Sequence, residues 1–219
     1  MEITAQILNE IKPLKQSNSL EDAKELFANY PITHFPMVEN HRFLGCFAEQ
    51  DIQTLEESNS LITNYNHLLN VFFTDEKASI LEVLKIFADN DTNILPVLDA
   101  TKNYKGYYDL NDILDLFATS PFLAENSETI LVEKLETDFS MSEIAQIIES
   151  NNSKVLGIYV SEKKENTVQI TIKTITKDVQ EIVHSFRRYD YKIISSHEDD
   201  VYLEDLKNRS QYLQKYLEM

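Results

Sequence analysis

The strongest constraint on how this chain folds is an internal repeat. The segment from Ser19 to Glu39 aligns with the segment from Ser79 to Asp99 at a shift of 60 positions, with four identical residues. Apolar residues between those identities coincide at helical spacing, which gives each copy one face suited to burial. One such unit has too small a core to be stable alone. We therefore expect the two copies to pack on each other through their sheets.

Each copy opens its first helix with a capping signal. Ser19 is followed three residues later by Asp22, and Ser79 by Glu82, so a hydroxyl can accept from a free backbone N–H while an acid sits at the positive helix end. Asp22 is the looser match, because the capping box normally uses Glu or Gln. The predicted order in each copy is strand, helix, strand, strand, helix. After the first helix, the expected elements lie at 35–38, 42–47 and 49–57 in the first copy, and at 95–98, 104–108 and 110–119 in the second.

A resemblance to the CBS (cystathionine-β-synthase-type) domain, which normally occurs as a tandem pair, is carried by two runs. These are SLEDAKELFANYPITHFPMVENHRFLGCFAEQDI and SILEVLKIFADNDTNILPVLDATKNYKGYYDLNDI. The resemblance implies a tandem pair over residues 1–120, with copies at about 1–60 and 61–120. It also implies a pseudo-twofold disc that forms a homodimer, with adenosyl ligands in clefts between the copies and an unidentified regulated protein as partner.

The resemblance also points to candidate ligand-binding residues. In ligand-binding members, a hydroxyl residue three positions after a glycine and an aspartate three further on hold ribose and phosphate. The aspartate is matched by Asp51 and Asp112, but Ala48 and Asp109 stand where the hydroxyl is expected. Ala48 offers no hydrogen bond and Asp109 would repel a phosphate. His34 is a candidate donor to the ligand.

The same acids have an alternative explanation that needs no ligand. Asp109 resembles an N-cap, and Asp51 and Asp112 fall in first helical turns, where acids are favoured. If a ligand binds, we expect an adenosine-type nucleotide or S-adenosylmethionine with little negative charge. The sequence predicts no other cofactor and no metal.

From residue 125 onward the pattern changes. Strands are predicted at 129–135, 154–160, 167–175 and 191–195, and helices at 140–150 and 177–189. The order βαββαβ is that of a ferredoxin-like domain and resembles an ACT domain over 129–198. The glycine common in amino-acid-binding ACT domains is missing between the first strand and helix. Residues 121–128 are expected to be a linker and 199–219 a C-terminal helix. The predicted fold class is α+β, with two β-α-β-β-α modules, a ferredoxin-like domain and a terminal helix.

Composition excludes several classes of function. There are 37 acidic and 20 basic side chains, a formal charge of −17, which disfavours nucleic acid as a partner. Only three glycines are present, too few and too scattered for a phosphate-binding loop. Cys46 is the single cysteine and is expected to be an apolar strand residue. The absence of a signal sequence or a long apolar run indicates a cytoplasmic protein with no membrane partner.

The function expected from these features is that of a non-catalytic regulatory or sensor protein. An alternative is a dimeric scaffold whose clefts have lost their ligand, which Ala48 and Asp109 favour. A hydrolase using Asp109 with Asp112 is a third hypothesis, since acids three apart on a helix share a face. No nucleophile accompanies them in the sequence.

Overall fold

The computed structural model describes residues 3–56, 59–123 and 126–195. The fold is α+β, and the chain divides into two units, residues 1–118 and residues 119–219. The first unit contains both repeat copies. The second unit contains the predicted ferredoxin-like domain.

The two copies in residues 1–118 share one order of elements after their first helix. In the first copy the elements are α1 (Leu20–Asn29), β1 (His34–Glu39), β2 (Arg42–Ala48) and α2 (Glu49–Gln53). In the second copy they are β3 (Thr74–Asp75), α3 (Ile80–Asp89), β4 (Ile94–Leu98), β5 (Tyr104–Asp109) and α4 (Leu110–Ala118). Helix α2 is shorter than the predicted 49–57 and ends at Gln53, with Thr54 as its C-cap residue.

The capping signals work as predicted in both copies. Ser19 Oγ accepts from Asp22 N at 3.1 Å, and the Asp22 carboxylate accepts from Ser19 N at 2.8 Å. The same reciprocal pair joins Ser79 and Glu82, at 3.3 and 2.7 Å. The hydrogen bond from the Ser19 backbone lowers the pKa of Asp22. The shorter aspartate thus completes a capping box as glutamate does.

The opening strand is where the two copies differ. In the second copy β3 pairs parallel to β4, with Thr74 opposite Val97. In the first copy that strand is reduced to one parallel bridge, between Leu14 and Met37. The two pairs lie at related positions, 60 residues apart. The expected five-element order is therefore complete in the second copy only.

The opening segment of each copy, which precedes its first long helix, crosses over to the other copy. Leu8 pairs with Tyr107 on β5, and Asn70 pairs with Cys46 on β2. The cores are exchanged in the same way, since Tyr107 packs in the core of the first copy and Cys46 in that of the second. Cys46 is fully buried and burial raises the pKa of its thiol, as expected for an apolar strand residue.

The crossing segments explain two of the three glycines. Gly106 has φ +146°, and a Cβ on it would lie 2.2 Å from the Leu8 carbonyl oxygen. Gly45 has φ +150°, and a Cβ there would lie 3.0 Å from the Leu69 side chain. Each glycine therefore lets the crossing segment of the other copy approach the hairpin.

Hydrogen bonds between related positions join the two copies directly. Thr33 N donates to Asn93 Oδ1 at 2.9 Å, and Asn93 N donates to Thr33 Oγ1 at 3.2 Å. These residues stand 60 positions apart, just before β1 and β4. Arg42 and Asn103, at the starts of the second strands, also form an antiparallel bridge. The copies are packed together as the repeat predicted.

The second unit is ferredoxin-like. Its elements are β6 (Glu128–Leu135), α5 (Met141–Ser150), β7 (Lys154–Lys163), β8 (Thr167–Ile175), α6 (Val179–Arg188) and β9 (Lys192–Ile193). The four strands pair antiparallel in the order β7-β8-β6-β9. Inward-facing aliphatic residues of the sheet pack against both helices to form its core.

A capping box between Ser140 and Glu143 is only half formed in this unit. Ser140 Oγ accepts from Glu143 N at 3.4 Å, but the Glu143 carboxylate turns elsewhere. It accepts from Tyr191 Oη at 2.8 Å and from Lys134 Nζ at 3.0 Å. Lys134 also donates to the Tyr189 carbonyl at 2.9 Å and lies 4.1 Å from the centre of the Tyr191 ring. Glu143 thus ties α5 to β6 and to the chain entering β9.

The predicted linker carries structure of its own. Pro121–Leu123 form a 3-10 helix, and β6 begins at Glu128. The Phe122 ring lies against Gly157, where a Cβ would come within 2.5 Å of it, and 6.3 Å from the Tyr159 ring. These residues therefore pack on the sheet of the second unit. The predicted helix at 199–219, the last residues of the predicted 129–198 domain and residues 124 and 125 of the linker lie outside the described residues.

Candidate ligand-binding cleft

A cleft of about 430 Å³ opens between the two copies. From the first copy it is lined by His34, Ala48, Gln50 and Asp51. From the second copy it is lined by Asn70, Phe72, Asp89, Asn90 and Asp91. Three of the five sequence candidates therefore meet in one place, and a ligand here would touch both copies.

His34 lies at the inner wall of this cleft. It starts β1, is 7% exposed, and its ring packs edge-on against Phe72 with centroids 5.2 Å apart. Nδ1 lies 3.0 Å from Thr33 Oγ1. Burial lowers the pKa of His34, although the carboxylates of Asp51 and Asp91 oppose this shift. With Nδ1 engaged by Thr33, the neutral imidazole has Nε2 to offer a ligand, as a donor or an acceptor according to the tautomer.

Ala48 and Asp51 are placed by the start of helix α2. Ala48 is the N-cap residue and is buried, and no side chain caps the helix there. Its methyl group shapes the cleft wall without offering a hydrogen bond, as the sequence indicated. Asp51 lies in the first turn of the helix and is half-buried. Its carboxylate can accept two hydrogen bonds, as a ribose diol would require.

The cleft contains two further acids that the sequence did not single out. Asp89 ends helix α3, and Asp91 follows with a positive φ of +47° that turns the chain towards β4. With Asp51 they give the lining three carboxylates and no lysine or arginine. An aspartate with positive φ directly after a helix is a recognisable turn signal. Only the packing of the two copies shows that Asp91 lines the same cleft as Asp51.

Asp109 and Asp112 occupy the related position in the second copy. Asp109 Oδ1 accepts from Asn111 N at 2.8 Å and from Asp112 N at 3.4 Å, so Asp109 caps α4. Burial raises the pKa of the neighbouring Tyr107, and the carboxylates of Glu10 and Asp109 add to the shift. The two copies therefore differ at this position, because Asp109 is engaged by its own helix whereas Ala48 has no side chain that can cap.

Within residues 3–56, 59–123 and 126–195, no group of three or more His, Cys, Asp or Glu side chains is arranged to bind a metal ion. Over the same ranges no helix combines the length and apolar character needed to cross a bilayer.

Two packed βαββα-type copies with a cleft between them define a tandem repeat module. Residues 64–119, which cover most of the second copy, match the CBS domain family. No curated protein is similar enough to the chain to count as a match.

Solved structures similar to this chain include two with CBS domains. One is a CBS domain pair/ACT domain protein from Thermotoga maritima, with 20% identity and a TM-score of 0.49, over 55% of this chain and 100% of that one. Another contains the CBS domains of a transcriptional regulator from Streptococcus pneumoniae, with 14% identity and a TM-score of 0.46, over 52% of this chain and 98% of that one. The ACT assignment of residues 129–198 rests on the order of elements alone and stays a prediction.

Proposed function

We propose that this chain is a cytoplasmic, non-catalytic regulatory protein that senses an adenosyl ligand of low negative charge in the cleft between its two copies. Adenosine and S-adenosylmethionine are the ligands that fit this description. The observation that carries the proposal is the cleft lining, which combines three carboxylates with neutral amides and contains no lysine or arginine.

The chemistry of the lining favours one part of an adenosyl ligand over another. Asp51 can accept from ribose hydroxyls, and the amides of Gln50, Asn70 and Asn90 can donate and accept at a purine edge. A phosphate would meet the carboxylates of Asp51 and Asp91, while the Lys85 ammonium beside Asp89 is already paired with that carboxylate at 2.6 Å. The same carboxylates would attract the sulfonium of S-adenosylmethionine.

A ligand that touches both copies can regulate because it favours one arrangement of them. Binding energy is gained only where His34 and Asp51 of the first copy and Asn70 of the second face each other, so occupancy stabilises that arrangement. A homodimer would pass the change to a partner protein across its interface. Size-exclusion chromatography with light scattering tests the dimer.

Calorimetry with adenosine, S-adenosylmethionine, AMP and ATP tests the ligand class. We expect adenosine or S-adenosylmethionine to bind, and Asp51→Asn to weaken binding about tenfold through loss of one charged hydrogen bond. Asp115→Asn, which changes the same charge at an exposed site on α4, should leave binding unchanged. The proposal would be contradicted if ATP bound more tightly than adenosine and Asp51→Asn changed the affinity for ATP.

A ligand-free dimeric scaffold is the second candidate function. It is favoured by Ala48, which offers no hydrogen bond, and by Asp109, whose carboxylate is engaged as a helix cap. Absence of binding for all four ligands, with an intact dimer, would support the scaffold over the sensor.

A further inference from the structure

A second cavity in residues 1–118 has the opposite charge from the cleft. It measures about 490 Å³ and lies where the turn between β1 and β2 meets strand β5 and residues 9–15. Among its polar lining residues are Asn9, Lys15, Glu39, Asn40, His41 and Lys105. We call this cavity the hairpin groove.

The fold brings these residues together from three segments. Lys15 follows Leu14, which is bridged to β1 at Met37. Asn40 and His41 form the turn between β1 and β2, both with positive φ, at +49° and +68°. Lys105 lies on β5, and its carbonyl oxygen accepts from Asn9 Nδ2 at 2.7 Å. The groove therefore depends on the crossing segment that pairs with Tyr107.

The cations of the hairpin groove are not neutralised by neighbours. Within the described part of the chain, neither Lys15 nor Lys105 takes part in an ion pair. Glu39 is the only carboxylate among the lining residues, and it accepts a hydrogen bond from Gln16 N at 3.3 Å. Two positive side chains thus face the cavity with one partly engaged acid.

Two more cations are close in sequence to lining residues of the groove. Arg42 starts β2 next to His41 and pairs through its backbone with Asn103. Lys102, in the turn before β5, holds its Nζ 4.5 Å from the centre of the Phe73 ring. Lys15, Arg42, Lys102 and Lys105 are four of the eight lysines and arginines in residues 1–118.

We propose that the hairpin groove binds a small, multiply charged phosphate-type anion, of which inorganic pyrophosphate is the simplest. Lysine ammonium groups bind phosphate oxygens as point charges, and the Asn40 amide can donate beside them. A cavity of this size suits a small ligand rather than a macromolecule.

The negative charge of the whole chain does not prevent this binding. At physiological ionic strength the Debye length is about 8 Å, so the two lysines that line the cavity outweigh exposed carboxylates farther away. The same screening makes the interaction sensitive to salt. The groove and the adenosyl cleft would then select different chemistry, one a phosphate and the other a nucleoside.

Calorimetry of the full chain with sodium pyrophosphate tests the proposal at low and at physiological salt. We expect measurable binding at low salt that weakens as salt rises. The double substitution Lys15→Gln with Lys105→Gln should weaken it by at least about tenfold, because two charged hydrogen bonds are lost. The matched control is Lys77→Gln with Lys85→Gln, which removes the same charge from exposed sites on the same unit. This control should change binding by less than about twofold, since distant exposed charges are screened.

Three results would overturn the proposal. The first is that the wild-type chain does not bind pyrophosphate at low salt. The second is that the two double substitutions weaken binding equally. The third is that a polyglutamate peptide binds the groove more tightly than pyrophosphate does. The wild-type titration does not depend on how any variant folds. Adenosine binding should be unaffected by the Lys15 and Lys105 substitutions, so failure of the groove and failure of the cleft are distinguishable.

Discussion

Tyr108 carries a hydroxyl that has no counterpart at the related position of the first copy. Its side chain is fully buried on β5, and Phe47 occupies the related position on β2. Within the described residues the Tyr108 hydroxyl has no hydrogen-bond partner. Burial raises the pKa of Tyr108 to about 12, with smaller contributions from Glu76 and Asp75. A buried polar group without a partner costs stability.

We therefore predict that Tyr108→Phe raises the free energy of unfolding by about 1 kcal/mol, because the unpaired hydroxyl is removed. The reverse change, Phe47→Tyr, should lower it by about 1–3 kcal/mol by creating the same defect in the first copy. Urea denaturation followed by circular dichroism measures both. A destabilised Tyr108→Phe variant would mean that the hydroxyl has a stabilising partner.

Single residues also show what the sequence could and could not predict about the cleft. The caps at Ser19 and Ser79 were predictable, because the pattern involves residues three apart on one helix. That Asp51 and Asp91 line one cleft was not predictable, because the cleft forms only when one copy packs on the other. His34 was identified from its neighbours in sequence, while its contact with Phe72 comes from the packing of the second copy.

Among the elements, β9 shows how much a short strand depends on side chains around it. It has two residues and pairs with β6 at Val132 and Glu133. Tyr191, just before it, donates to Glu143 on α5. Burial alone would raise the pKa of Glu143, but hydrogen bonds from Tyr191 and Lys134 outweigh it and the pKa lies below its ordinary value.

This shift predicts how one substitution responds to pH. Because the folded-state pKa is lowered, the charged Glu143 stabilises the fold above the ordinary pKa of 4.5, and the contribution is lost as pH falls through the folded value. Glu143→Gln should lower the free energy of unfolding at pH 7 by less than about 1 kcal/mol, since the carboxyl is 32% exposed and partly screened.

Urea midpoints measured at pH 7 and in acid give the test of this prediction. The gap between wild type and Glu143→Gln should close in acid, where both side chains are neutral. Glu149→Gln, at an exposed position on the same helix, should show no gap at either pH. A gap for Glu143→Gln that persists in acid would point to packing rather than charge.

The element order of the second unit was predictable for a similar reason to the caps. Alternating apolar residues in 167–175 and helical spacing in 179–188 reflect burial on one face, which sequence shows directly. The reach of Glu143 to Tyr191 was not predictable, because it competes with the local capping box at Ser140. The contact of Phe122 with Gly157 was missed because Pro121 and its polar neighbours indicate a linker.

At the scale of the whole molecule, neither copy forms a complete apolar core from its own residues alone. The core of the second copy includes Ile3 and Cys46 from outside residues 61–118. The core of the first includes Ile62 and Tyr107 from beyond residue 60. The repeat predicted that the copies would pack together, but not that they would exchange segments.

We predict that residues 61–118 alone remain unfolded, whereas residues 1–118 fold cooperatively, because the smaller fragment lacks part of its apolar core. Dispersion of amide signals in NMR spectra and the cooperativity of thermal unfolding distinguish the two. Mixing fragments 1–60 and 61–118 should restore the signals of the larger fragment. A cooperative transition in the isolated 61–118 fragment would contradict the exchange of cores.

The bridge between Leu8 and Tyr107 has a consequence for synthesis on the ribosome. Residues around Leu8 must wait for a strand made about a hundred residues later, so they are among the last in this unit to find their place. Until then, apolar groups such as Ile3 and Ile7 stay open to water and to other nascent chains. Slow translation between the two copies would lengthen that exposure.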